Sequence, residues 1–98
     1  MMPFFETLDR SGRKIYLSQV RWTHINTEHP EISPYFLNFG EILRNPTKVV
    51  LYQDDESLCY FYKYYKQRKS ESKYLLIIVK YLNGNGFIIS AYFVKHLP

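Results

Sequence analysis

The chain has one cysteine and four glycines among its 98 residues, and each scarcity excludes something. A lone thiol cannot form an intrachain disulfide, so the fold must rest on its core, and the chain suits a reducing compartment. That thiol, Cys59, lies in the apolar run "LCYFY" and is expected to be a buried small hydrophobe. Long apolar runs are also missing, since "YLLIIV" is far too short to cross a bilayer. The opening "MMPFFETLDRSGRK" lacks a basic stretch followed by an apolar one, so no signal peptide is expected. These absences predict a cytoplasmic protein without a membrane segment. Glycine-rich phosphate loops, a serine-triad context and a dinucleotide fingerprint are absent, and "NGNG" reads as a hairpin turn. No cofactor is expected.

What is present is apolar and aromatic. Hydrophobic residues make up 46% and aromatics 18%, enough for one core, and the length is too short for two, so residues 1–98 are read as a single domain. The net charge of +4 favours anionic partners, nucleic acid first. Much of it falls in "KYYKQRKSESK", where Lys63, Lys66, Arg68, Lys69 and Lys73 face a lone Glu71, with Tyr64 and Tyr65 interleaved. Basic residues beside aromatics suit single-stranded nucleic acid, and Lys63, Lys66, Arg68, Lys69 and Tyr65 are the candidates for that contact. A solvated hairpin whose charges discourage edge association has the same composition.

Ser18 is a natural N-cap, predicting a helix from Gln19 to about Glu28 that stops before Pro30. A second helix is expected in "SPYFLNFGEILRNP", with Ser33 as cap and Pro34 at the first position. Tyr35, Phe39, Ile42 and Leu43 would form its apolar stripe. The pattern then turns to period two in "KVVLYQ", "LCYFYKYYK", "KYLLIIVKYL" and "GFIISAYFV", which read as four strands joined by short turns. "RKIYL" reads as a further short strand ahead of the helices. The expected architecture is α+β: two N-terminal helices on one face of a four-stranded antiparallel sheet. Strict alternation in the last strand would put Phe87, Ile89, Ala91 and Phe93 on one face and Ile88, Ser90, Tyr92 and Val94 on the other. Lys63 and Lys80 interrupt otherwise apolar strands.

Two of the three histidines fall in "LSQVRWTHINTEHPEI". At about 100° per residue, Arg21, His24 and Glu28 share one side, with Trp22 and Ile25 turned inward. A continuous helix would hold His24 and His29 about 140° apart, but Pro30 disturbs the end, and their convergence stays open. His24 could equally pair with Glu28 one turn on, and His29 could cap the last carbonyls. The histidines are five residues apart, one more than two ligands on one helical face require, so no metal is assigned.

The order "RWTHINTEHPEI", then "ILRNP", then "GFIISAYF" resembles the phage-type branch of the barnase–EndoU–colicin–RelE-like (BECR) nucleases, from about Ile15 to Lys95. The resemblance implies metal-independent RNA cleavage, in which a 2′-hydroxyl attacks its own phosphate, at a site where helix and sheet meet. His24 and His29 match the helix histidines, Arg21 its basic residue, and Ser90 and Tyr92 the last-strand hydroxyl and aromatic. Lys80, like Lys63, is added from strand alternation. Histidine titrates near neutrality and can serve as base or acid, while Arg21 and Lys80 would stabilise phosphorane charge. The expected partners are RNA and, for a toxin-like protein, an inhibitory protein. A non-catalytic RNA-binding or protein-interaction module is the alternative.

Overall fold

Asp9 to Gly12 reverse the chain so that β1 (Phe5–Leu8) lies antiparallel to β2 (Lys14–Leu17), Phe5 opposite Leu17. Gly12 supplies the positive φ of 87° this turn requires. The computed structural model describes residues 4–98. Met1, Met2 and Pro3, where the single-domain span and the reading of the N-terminus begin, lie outside the described residues.

The first helix forms as its sequence predicts. In α1 (Gln19–Glu28), the Ser18 hydroxyl accepts from the Arg21 amide at 3.1 Å, satisfying a first-turn donor. Ile25 is buried, and Trp22 packs on Phe36 with ring centroids 4.7 Å apart. The second helix differs from expectation. A 3-10 helix spans Pro30–Asn38, and α2 is only Phe39–Arg44. Pro30, not Pro34, takes the first position, and Ser33 caps nothing. In an α-helix begun at Pro30, the ring of Pro34 would press on the carbonyl four residues back, which the tighter winding avoids. Phe39, Ile42 and Leu43 of the expected stripe are buried, and Tyr35 is half-buried.

The sheet corrects the expected four antiparallel strands. Among the described residues it has six, in the order β1-β2-β6-β5-β4-β3, with β3 (Lys48–Leu51), β4 (Leu58–Tyr64), β5 (Tyr74–Leu82) and β6 (Asn85–Val94) completing it. It is also mixed, because β2 runs parallel to β6, with Ile15 opposite Gly86 and Tyr16 opposite Phe87. The helices therefore follow two strands instead of leading the chain. The sequence pattern marks the other five strands but not β1, and it says nothing about which distant strand each one joins. Burial supplies the reason here, since Ile15 and Leu17 are fully buried and extend the core. Gly86 permits the approach, because a Cβ there would lie 2.3 Å from Ile15 Cδ1. Asn83 and Gly84 make the β5–β6 hairpin, both with positive φ.

Two apolar clusters lie on opposite faces. Beneath the helices, Leu75, Ile77 and Val79 join Phe61, Ile25, Ile42 and Leu43. On the other face, Tyr62, Leu76 and Ile78 are buried among half-buried Tyr60, Tyr74, Ile89 and Tyr92. Alternation holds along β5. It fails along β6, where a register shift at Ile78/Val79 leaves Ile89 between the Ser90 and Ile88 pairings. Ile88 and Ala91 accordingly both join the helix-side core. Cys59 is 3% exposed in that core, as its sequence context predicts.

Candidate functional site

Pro30 ends α1 at His29, whose amide donates to the Ile25 carbonyl while its φ and ψ leave the helical region. This departure swings the His29 ring onto Tyr92, with centroids 5.0 Å apart and planes 29° from parallel. β2 pairs β6 only at Gly86 and Phe87, so the later part of β6 is free of a strand neighbour on that side, and α1 and the 3-10 helix pack there. The "HPE" and "SAY" segments, some sixty residues apart in sequence, thus meet at the edge of the sheet.

Glu28 links the two helix histidines. Its carboxylate lies 2.7 Å from His24 Nε2 and 4.0 Å from His29 Nε2, and Glu31 approaches His29 Nδ1 at 3.8 Å. One carboxylate therefore lies between the two imidazoles, in close contact with His24 and at the outer limit of ion-pair distance from His29. The His24 side chain is 58% exposed and that of His29 is 30% exposed, so one imidazole stands in solvent and the other is partly enclosed. Arg21 lines a shallow depression of about 310 Å³ with His24, Ser18 and Val20. Its guanidinium makes no ion pair among the described residues, so its donors are available. Among the described residues no group of three or more His, Cys, Asp or Glu side chains is arranged to hold a metal.

Ser90 sits two residues from Tyr92 along β6, roughly 7 Å, and both pair toward the open face, Ser90 with Ile78 and Tyr92 with Leu76. Lys80 shares that face but not that place. It pairs across from Leu58 and Phe87, four residues or roughly 13 Å along β5 from the Tyr92 row, and its ammonium lies 3.5 Å from Asp55. Hydrogen bonds from Ser57 hold the Asp55 carboxyl below its usual range, with Lys80 adding to the effect.

The basic residues divide by what they touch. Lys63 lies on the helix side, where its ammonium donates to the Asn45 carbonyl at 2.8 Å and lies 3.8 Å from Glu41. There it satisfies the C-terminal end of α2. Arg68 closes the β4–β5 loop, donating to the Ser72 carbonyl at 2.6 Å with its guanidinium 3.6 Å above the Phe93 ring. Tyr65, half-buried, packs between Tyr35 and Phe93 against the core. Lys66 and Lys69 remain exposed, Lys66 lining a depression of about 340 Å³ with Tyr35 and Tyr64.

Sequence reading missed the phenols that gather on the open face. Burial pushes the pKa of Tyr60 and Tyr62 above the ordinary phenol value, and the neighbouring Tyr92 phenol raises both further. Alternation along β4 puts these two residues on one face, but nothing local indicates that Tyr92, two strands away, shares their surroundings. Leu97 packs on the same cluster, and Lys48 Nζ donates to the Pro98 carbonyl at 3.2 Å, so the segment after β6 lies across one end of this face. No helix among the described residues is long and apolar enough to cross a membrane.

No family model matches the chain, and neither the curated proteins nor the solved structures yield a significant match.

Proposed function

We propose that the chain is a metal-independent, toxin-like endoribonuclease related to the phage-type BECR nucleases, acting on RNA in the cytoplasm and held in check by an inhibitory protein. The observation that carries this reading is the stack of His29 on Tyr92, which joins the imidazole-bearing helix end to the last strand. The 2′-oxygen bonds to phosphorus as one imidazole takes its proton. The P–O5′ bond breaks as the other, protonated imidazole gives a proton to O5′. The products are a 2′,3′-cyclic phosphate and a free 5′-hydroxyl. Glu28 holds His24 by its 2.7 Å contact, and Arg21 beside it neutralises charge on the phosphorane. Tyr92 and Ser90 position the scissile phosphate or its base. Lys80, at the far end of the face, and Lys66 and Lys69 in the loop hold the phosphates of flanking nucleotides.

The test is incubation of the protein with end-labelled RNA in EDTA, beside a variant in which Arg21, His24 and His29 are all alanine. Cleavage leaving 2′,3′-cyclic phosphate ends, abolished in the variant, is the expected result. RNA binding without cleavage by the folded protein would instead make the chain a binding module.

A further inference from the structure

A cavity of about 350 Å³ opens on the helix-facing side of the sheet, away from His29 and Tyr92. Its floor is apolar, formed by Val49 and Leu51 of β3 and Cys59 and Phe61 of β4, and its rim is the β1–β2 turn with Arg10 and Arg13. That volume lies at the lower end of small-molecule sites, which pair a mostly apolar lining with a few placed polar groups.

The rim is built and not merely charged. Asp9, 4% exposed, accepts from the Ser11 and Arg13 amides and the Ser11 hydroxyl at Oδ1, and from Arg13 Nε and the Tyr81 hydroxyl at Oδ2. Its oxygens are thus occupied inside the turn. The Arg13 guanidinium rests 3.8 Å above the Tyr81 ring, with Nε committed to Asp9 and Ser11, which leaves its terminal nitrogens as donors. The Arg10 amide donates to the Leu43 carbonyl, anchoring the turn on α2, while its side chain makes no ion pair among the described residues. With Asp9 balancing Arg13, the rim carries one uncompensated positive charge. Both guanidinium groups lie within electrostatic range of the floor, since they oppose the upward push that burial exerts on the Cys59 thiol.

We propose that this cavity binds a small amphipathic anion, its acidic group held by Arg10 and the terminal nitrogens of Arg13, its apolar body laid on Val49, Leu51 and Phe61. Guanidinium donors favour a carboxylate or phosphate, and the apolar floor favours a ligand that carries a hydrocarbon or aromatic portion. The site is separate from the proposed RNA-cleaving residues, because it lies at the β3–β4 and β1–β2 turn end of the helix side and is lined by none of them.

The test is an amide-shift titration of the ¹⁵N-labelled protein with 1-naphthyl phosphate, with 1-naphthol as the uncharged counterpart. Saturable shifts at Leu51, Cys59 and Phe61 are expected, with affinity for 1-naphthol weaker by about tenfold, the worth of one charge-assisted contact. Arg10→Ala, an exposed change that leaves the Asp9 turn intact, should weaken the phosphate by a similar factor with an otherwise native spectrum. Bound 1-naphthyl phosphate should also slow alkylation of Cys59 by iodoacetamide. Absence of saturable shifts, shifts centred on the Tyr60 and Tyr92 face, equal affinity for the two probes, or an unchanged affinity in Arg10→Ala would each overturn the proposal.

Discussion

At the scale of single residues, Asp9 is a buried carboxylate held by five hydrogen bonds. Burial alone would raise its pKa, but hydrogen bonds from Tyr81, Ser11 and Arg13 outweigh it and hold the carboxyl at about 2. A folded-state pKa below the unfolded value stabilises the protein above about pH 4 and is lost as pH falls through 2. The contribution is about 2 kcal/mol. Urea unfolding of the wild type and Asp9→Asn between pH 2 and 6 should show a gap of that size at pH 6 that closes in acid. A pH-independent gap would contradict the assignment. Gly86 offers a steric counterpart, because a Cβ there would lie 2.3 Å from Ile15 Cδ1 and 2.8 Å from Val79 Cγ1, both in the core. Gly86→Ala should cost about 1–3 kcal/mol in chemical denaturation, by overpacking the β2–β6 contact. Asn26 presents the opposite opportunity. Its Oδ1 is buried without a hydrogen-bond partner among the described residues, so Asn26→Leu should raise stability by about 1 kcal/mol.

At the scale of elements, the two lysine groups make a prediction that separates scaffold from RNA contact. Lys63 is tied to the end of α2, so Lys63→Met should lower stability by about 1 kcal/mol and leave RNA affinity unchanged. Lys66 and Lys69 are exposed, and replacing both with alanine should flatten the salt dependence of RNA binding, a log–log slope, by about 1.4, some 0.7 for each lost phosphate contact. A double variant with the wild-type slope would remove the loop from the interface. Elements set by neighbouring residues were legible from sequence: the Ser18 cap, the stop before Pro30, the Asn83–Gly84 hairpin and the alternation along β5. Elements set by distant partners were not. The parallel β2–β6 pairing depends on Ile15 meeting Gly86 across the fold, and the irregularity at Ile78/Val79 breaks an alternation that β6 alone displays without flaw. The candidate site divides along the same line. His24, Glu28 and Arg21 share one helical face by local geometry, whereas the separation of Lys80 from Tyr92 and the placement of Lys63 on the other face appear only when the strands are registered.

At the scale of the whole molecule, the helices cover one sheet face and leave a tyrosine-rich face open, with α1 ending at the boundary between them. In the proposed enzyme this boundary is the reaction site, and His29 and Tyr92 act as one unit across it. The most direct measurement is the rate of RNA cleavage in EDTA for the wild type, His29→Ala, Tyr92→Ala and the double variant, each confirmed as folded. Loss of a proton-transferring imidazole should slow cleavage about 10²–10⁴-fold. Because the two rings form one contact, the double variant should lose little more than His29→Ala alone. Single losses that multiply in the double variant, or a wild type that leaves RNA intact, would contradict the account.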